Sequence, residues 1–170
     1  LGTLRQRLFP ELDSLADLSD PAALSAQALA LLQQAKERGQ PTLTMVFFSS
    51  AHFPYAAKRP AYQRFADPAY RGPFLYHKPP LTEPTTPADA QQVRALYDGA
   101  LSAADAGVAQ LLGGLRALGL ERETIVVVLA DHGENLYDQP GRGMGHGDHL
   151  EGDAALRVPL LVLDPVHGFS

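Results

Sequence analysis

The chain has 170 residues, a net charge of −5, 45% hydrophobic residues and no cysteine. This length allows one domain with its own core, and the scattered positive charges argue against a nucleic-acid-binding surface. The lack of cysteine excludes disulfides, thiolate zinc sites and a cysteine nucleophile. No apolar run approaches the roughly 20 residues needed to span a bilayer, so the chain itself is expected to be soluble.

The first predicted elements are a helix and a strand. Asp20 can cap the free N–H groups of a helix that begins at Pro21, and apolar residues then recur at helical spacing as far as Gly39, which predicts a helix over about 21–38. Residues 43–48, Leu-Thr-Met-Val-Phe-Phe, are short, β-prone and mostly apolar. They predict a buried strand.

Residues 52–87 follow no periodicity. They contain eight of the fourteen prolines and seven of the thirteen Phe and Tyr residues, so they are too proline-rich for a long helix and too aromatic for a disordered linker. A connection this long within a domain is usually functional. We expect this proline- and aromatic-rich excursion to pack over or beside a site.

The remaining elements predict an α/β fold. The sequence Thr-Pro-Ala-Asp at 86–89 is typical of a capped helix start, and an apolar stripe continues to Gly119. Apolar runs at 124–130 and 158–163 predict two further strands. Alternating helices and strands favour a mainly parallel sheet flanked by helices. Three strands make a thin sheet, and the chain begins with Leu1, so residues 1–170 are interpreted as a single partial domain.

The candidate site lies at the ends of the predicted strands. Asp131 and His132 directly follow the strand 124–130, and His52 follows the strand 43–48. Ligands of parallel α/β sheets collect beyond the carboxyl ends of the strands, so these residues are expected to converge, with His146 from the glycine-rich loop beside them. Carboxylate and imidazole suit zinc or manganese. The alternatives are an Asp that caps a turn, a hydrogen-bonded core histidine and solvated loop histidines.

Several blocks in order resemble a known family. The run Thr-Ile-Val-Val-Val-Leu-Ala-Asp-His-Gly-Glu at 124–134, the long helix before it and Arg-Val-Pro-Leu-Leu-Val at 157–162 closely resemble the C-terminal half of the sulfatase domain in the alkaline phosphatase superfamily. Gly-His-Gly at 145–147 is more similar to the membrane-anchored phosphoethanolamine and phosphoglycerol transferases and the inner-membrane sulfatase-like proteins. The resemblance covers about residues 43–165 and implies a three-layer α/β/α fold, present here only in part.

The resemblance also implies roles for individual residues. Asp131 and His132 match late metal ligands of the family, for a divalent ion (Zn, Mn, Ca or Mg). His52 and His146 match positions that contact the transferred group or a second metal. Independently of the resemblance, Glu134 is expected either to support the site from behind the ligands or only to cap the local turn. Two residues are weaker candidates for substrate or second-metal binding, since each could equally be a surface residue: Lys78 and His149.

The family's early acidic ligands and its nucleophile belong to a segment N-terminal to these blocks, and this chain has no Cys-x-Pro-Ser-Arg sequence. The resemblance therefore implies a metal-dependent hydrolase or transferase that acts on sulfate or phosphate esters, which could be lipid-linked, and whose N-terminal remainder supplies the nucleophile. The 170 residues alone are expected to be inactive. The full-length protein that contains this chain is expected to be extracytoplasmic, either periplasmic or membrane-anchored. Alternatives are an inactive sulfatase-like protein that binds a lipid or anionic ligand, and an unrelated interaction module.

Overall fold

A computed structural model describes residues 20–55, 57–75, 86–137, 144–146, 153–166 and 168–169. The first helix, α1 (Pro21–Glu37), begins as predicted: Asp20 accepts a hydrogen bond from Ala22 N at 3.1 Å, and proline occupies the first helical position. The chain leaves α1 through Gly39, whose φ of +62° favours glycine.

The long predicted helix is α2 (Pro87–Ala117). The Thr86 side chain accepts from Asp89 N, and the Asp89 carboxylate accepts from Thr86 N, so the helix start carries a complete capping box. The two helices pack closely, because the buried Ser25 hydroxyl of α1 donates to the carbonyl oxygen of Gly107 on α2 at 2.9 Å. A Cβ at Gly107 would lie 2.8 Å from Pro21 Cβ, so the contact requires glycine.

Burial alternates along residues 43–48 as in an extended segment, but residues 41–49 form no strand ladder with the described residues. The prediction of a buried strand at 43–48 is therefore wrong for the described structure: the segment pairs with no described strand, and one of its faces is exposed. Leu43 and Met45 are 97% and 90% exposed, whereas the alternate residues 44, 46 and 48 are half-buried. A strand is buried on both faces only where a layer covers each face.

The described strands form two small sheets. The first has the order β1 (Val126–Leu129), β4 (Leu160–Asp164), β5 (Gly168–Phe169), and the second pairs β2 (Asn135–Leu136) with β3 (Met144–Gly145). A one-turn helix, α3 (Asp153–Leu156), precedes β4. All these pairings are antiparallel. The described residues therefore do not show the parallel pairings that a mainly parallel sheet would have. Parallel strands need a long crossover connection, and no long helix joins β1 to β4 in this part of the chain.

The excursion after residue 52 forms part of the core. Its residues pack on α2 directly and through a 3₁₀ turn (Ala61–Gln63), and a Cβ at Gly99 would lie 2.8 Å from the Ala61 carbonyl oxygen. The buried cluster contains residues from both parts of the chain: Tyr55, Ala57, Phe74, Val93, Leu96 and Ala100. Among the described residues, no helix combines the length and apolarity needed to cross a bilayer.

Candidate functional site

His52 is held in a turn at the end of the extended segment. Ser50 is fully buried, and its hydroxyl donates to the Ala100 carbonyl oxygen of α2 at 3.3 Å, which fixes the start of the turn. His52 N donates to Ser49 O, and Tyr55 N donates to His52 O at 2.8 Å. His52 Nδ1 lies 2.7 Å from the Phe53 carbonyl oxygen. Because a carbonyl only accepts, this contact places the proton on Nδ1 and leaves Nε2 with a lone pair.

Asp131 and His132 lie directly after β1. His132 N donates to Asp131 Oδ1, and His132 Nδ1 lies 2.8 Å from the Gly133 carbonyl oxygen, so its Nε2 also keeps a lone pair. That Nε2 is 3.8 Å from Asp131 Oδ2. The two predicted ligands therefore lie side by side, with the Asp131 side chain 66% exposed and open to further groups.

Gly133 is not held in a left-handed turn, because its φ lies outside the left-handed region. Gly133 N instead donates to Ala155 O at 2.8 Å, and an added Cβ would lie 1.9 Å from the Ala154 carbonyl oxygen. Gly133 is required because the backbone of α3 passes against the loop that carries the site.

The short sheet of β2 and β3 brings His146 to the other residues. Asn135 is in register with Gly145, and its side-chain amide also donates to the Gly145 carbonyl oxygen at 3.0 Å. This pairing sets the next residue, His146, beside Glu134, with His146 Nδ1 3.2 Å from Glu134 Oε2.

Three histidines and a carboxylate therefore converge from three separate segments. The rings of His132 and His146 are stacked with centroids 3.8 Å apart, and His52 meets His146 edge-on at 5.3 Å. Donor atoms of His132, Glu134 and His146 all lie within 4.8 Å of one another. The expected convergence of the strand-end residues is thus present in the described part of the chain.

The donor set fits a divalent cation. Imidazole nitrogen and carboxylate oxygen are ligands of zinc and manganese, and ligands of a tetrahedral zinc are about 3.4 Å apart, so small side-chain movements would bring these donors onto one ion. Glu134 is only 5% exposed, and its Oε1 makes no hydrogen bond of standard geometry among the described residues. Burying a charged oxygen without a partner costs free energy, so a positive charge or a hydrogen-bond donor near Oε1 would stabilise the carboxylate.

The Glu134 carboxylate raises the pKa of two tyrosine hydroxyls. Burial raises the pKa of the Tyr55 hydroxyl above its usual value, and the negative charge and hydrogen bonding of Glu134 raise that pKa further. The pKa of Tyr97 is also raised, first by burial and then by Glu134. The sequence analysis expects the aromatic-rich excursion to pack over or beside a site but does not single out Tyr55. Its position three residues after His52 was the available signal.

Two of the predicted site residues, Lys78 and His149, lie outside the described residues. The others occupy one site: His52, Asp131, His132, Glu134 and His146. Which of them binds metal and which binds substrate stays a prediction.

Comparisons with known proteins agree on a family and a fold. The family model described as Sulfatase matches residues 9–168. The Ulvan-active sulfatase of Formosa agariphila is 28% identical over 145 residues, which are 85% of this chain and 27% of that protein. The structure of a phosphonate monoester hydrolase from Silicibacter pomeroyi matches with a TM-score of 0.56 and 21% identity, over 96% of this chain and 41% of its own. The shared fold confirms the α/β class, and this chain spans less than half of either protein.

Proposed function

Because this chain belongs to the sulfatase family, we propose that it is the C-terminal part of a metal-dependent domain that hydrolyses or transfers sulfate or phosphate esters. The observation that carries the proposal is the convergence of His52, His132 and His146 beside a buried carboxylate and Asp131. The relatives are named for the hydrolysis of sulfate and phosphonate esters, which share a tetrahedral anionic centre.

In this proposal Asp131 and His132 hold a divalent cation, whose identity among Zn, Mn, Ca and Mg is open. A bound cation would polarise an oxygen of the ester and stabilise charge in the transition state. His52 and His146 contact the other ester oxygens or a second cation. The lone pair of His52 Nε2 would bind a cation, whereas a proton on that nitrogen would donate a hydrogen bond to an ester oxygen. Lys78 and His149 are proposed to bind the anionic part of the substrate.

The proposal includes an N-terminal remainder of the same polypeptide that supplies the nucleophile and the early acidic ligands. Open apolar faces in the described chain support it: Leu43, Met45 and Phe47 on the extended segment, and Ile125, Val127 and Leu129 around β1, are all exposed. Contiguous exposed apolar surface of this kind is rare unless another part of the protein covers it. An extracytoplasmic location, and lipid-linked esters as substrates, are proposed from the resemblance to the transferases.

The decisive experiment compares Asp131→Ala with Asp105→Ala in the intact protein. Asp105 is an exposed carboxylate on α2 and serves as the matched control. The readout is hydrolysis of 4-nitrophenyl sulfate and bis(4-nitrophenyl) phosphate with added Mn²⁺ or Zn²⁺. We expect Asp131→Ala to lower kcat/KM at least about 10²-fold, because a metal contributes several kcal/mol to the transition state, and Asp105→Ala to leave it unchanged.

Equal activity of Asp131→Ala and the unsubstituted protein would overturn the proposal. A protein that binds stoichiometric metal and an anionic ligand without hydrolysing either ester would instead support the inactive sulfatase-like alternative.

A further inference from the structure

Glu134 is buried between a histidine of the site and a tyrosine of the core. One carboxylate oxygen, Oε2, lies 3.2 Å from His146 Nδ1, and the other, Oε1, is buried with no hydrogen bond of standard geometry among the described residues. The side chain is 5% exposed. A buried carboxylate needs donors on both oxygens, so the residue that faces Oε1 matters.

Tyr55 is the residue best placed to meet that need. It is 1% exposed, and its hydroxyl is buried without a standard hydrogen bond among the described residues. Leu136 of β2 and Met144 of β3, which lie two residues from Glu134 and His146 respectively, pack against the cluster that contains Tyr55. The pKa of the Tyr55 hydroxyl is raised first by burial and then by the Glu134 carboxylate, as expected for neighbouring groups.

The backbone of Tyr55 supports a role beyond packing. Its φ is +56°, an uncommon value for a bulky residue, and it closes the turn in which Tyr55 N donates to His52 O. Such conformations cost about 1–3 kcal/mol and are concentrated at functional sites. The same turn therefore fixes His52 at the site and sends the Tyr55 ring into the core behind it.

We propose that Tyr55 and Glu134 are positioning residues for His146. The Tyr55 hydroxyl donates to Glu134 Oε1, and Glu134 Oε2 accepts from His146 Nδ1–H, which leaves a lone pair on His146 Nε2 in the space shared with His52 and His132. A carboxylate behind a histidine fixes the tautomer and ring orientation in this way. The use of His146 in ester chemistry rests on the function proposed above. The fixing of the His146 tautomer by Glu134 and Tyr55 does not depend on that function.

The test reads the tautomer of His146 directly. Long-range ¹⁵N–¹H correlation spectra are recorded on the metal-free intact protein with ¹⁵N-histidine at about pH 8, where an ordinary imidazole is neutral, and His146→Gln identifies the signals. We expect His146 protonated on Nδ1 in the unsubstituted protein. Tyr55→Phe should move the tautomer ratio about fivefold toward Nε2–H, the equivalent of one net hydrogen bond. Glu134→Gln should change the ratio at least as much.

The matched control is Tyr62→Phe. Tyr62 packs against the same core cluster, but its hydroxyl accepts from Arg59 Nε at 3.0 Å. The His146 tautomer should not change in this variant. An unchanged ratio in both Tyr55→Phe and Glu134→Gln, or His146 protonated on Nε2 in the unsubstituted protein, would overturn the proposal. Should Tyr55→Phe fail to fold, Glu134→Gln decides the question alone.

Kinetics add a second readout that a packing role would not give. Tyr55→Phe and Glu134→Gln should each lower kcat/KM about 10–100-fold, and the loss from Tyr55→Phe should disappear in a His146→Gln background. Losses that simply add in the double variant would contradict action through His146. A protein without esterase activity would refute the proposed function, while the spectra would still decide the positioning role.

Discussion

Gly133 lies between His132 and Glu134 in the loop after β1, and its missing side chain allows the backbone of α3 to lie against that loop. The 1.9 Å from an ideal Cβ to the Ala154 carbonyl oxygen is far below any real contact distance. The atom in the way belongs to the backbone, so it cannot move aside as a flexible side chain could.

We therefore predict that Gly133→Ala lowers the free energy of unfolding of the intact protein by about 3 kcal/mol, the range for overpacking a closed site. The same displacement would move His132 and Glu134, so activity should fall even below the unfolding temperature. Denaturant titration and kcat measured on the folded protein check the two effects.

Gly113→Ala is the control for that change. Gly113 lies within α2, and a Cβ there meets nothing within 4 Å. Since alanine is the better helix former by about 0.5–1 kcal/mol, this variant should be more stable than the unsubstituted protein and equally active. A similar loss of stability in both variants would contradict the close-approach explanation.

At the scale of elements, the start of α1 joins a helix cap to an ion pair. Asp20 caps the helix through Oδ1, and its Oδ2 lies 2.5 Å from Lys58 Nζ in the loop that follows the site turn. Burial opposes ionisation of Asp20, but hydrogen bonds from Lys58 and from the backbone N–H groups of Ala22 and Ala23 outweigh it and lower the pKa of the carboxyl. One residue thus links the first helix to the excursion.

This lowered pKa predicts a pH-dependent contribution to stability. The contribution is fully present above the ordinary pKa of aspartate, about 3.9, and is lost as the pH falls through the lower pKa of the folded state. Asp20→Asn keeps the cap but removes the charge. It should cost less than about 1 kcal/mol near neutral pH, because Lys58 is largely exposed, and the difference from the unsubstituted protein should vanish at low pH.

Asp20→Ala removes both contributions and should cost about 1 kcal/mol more than Asp20→Asn. Thermal unfolding of the three proteins between about pH 2 and pH 7 measures these differences. An Asp20→Asn penalty that persists unchanged at the acid end would show that the carboxylate charge is not its source.

At the scale of the whole molecule, one face of the segment 43–48 is open. Met45 is 90% exposed here, although it alternates with half-buried residues in an apolar segment. If the proposed N-terminal remainder covers this face, Met45 is buried in the intact protein.

Met45→Lys should then destabilise the intact protein by at least about 3 kcal/mol, because it places an ammonium group without a partner in an apolar interface. Leu31→Lys is the matched control, since Leu31 lies on α1 with 59% exposure and lysine favours helix. It should change stability by less than about 0.5 kcal/mol. Equal, small effects of the two substitutions would indicate that the open face of the segment 43–48 is not covered.

The sequence by itself was enough to predict both long helices, the family and most of the residues that meet at the candidate site. Caps and apolar periodicity are local properties, so Asp20, Thr86 and the stripe of α2 predicted their helices closely. The order of the blocks predicted the family, which the match to residues 9–168 confirms. The predicted site residues that the structure describes do lie together.

Only the tertiary structure decided the strand pairings, the reason for Gly133 and the relation of Tyr55 to Glu134. Each depends on residues far apart in sequence: β1 pairs with β4, Gly133 meets α3, and the turn at His52 meets the short sheet that carries His146. Periodicity shows which face of a segment is apolar, but not which segment covers that face or in which direction its neighbour runs. Those outcomes follow from how distant surfaces pack together.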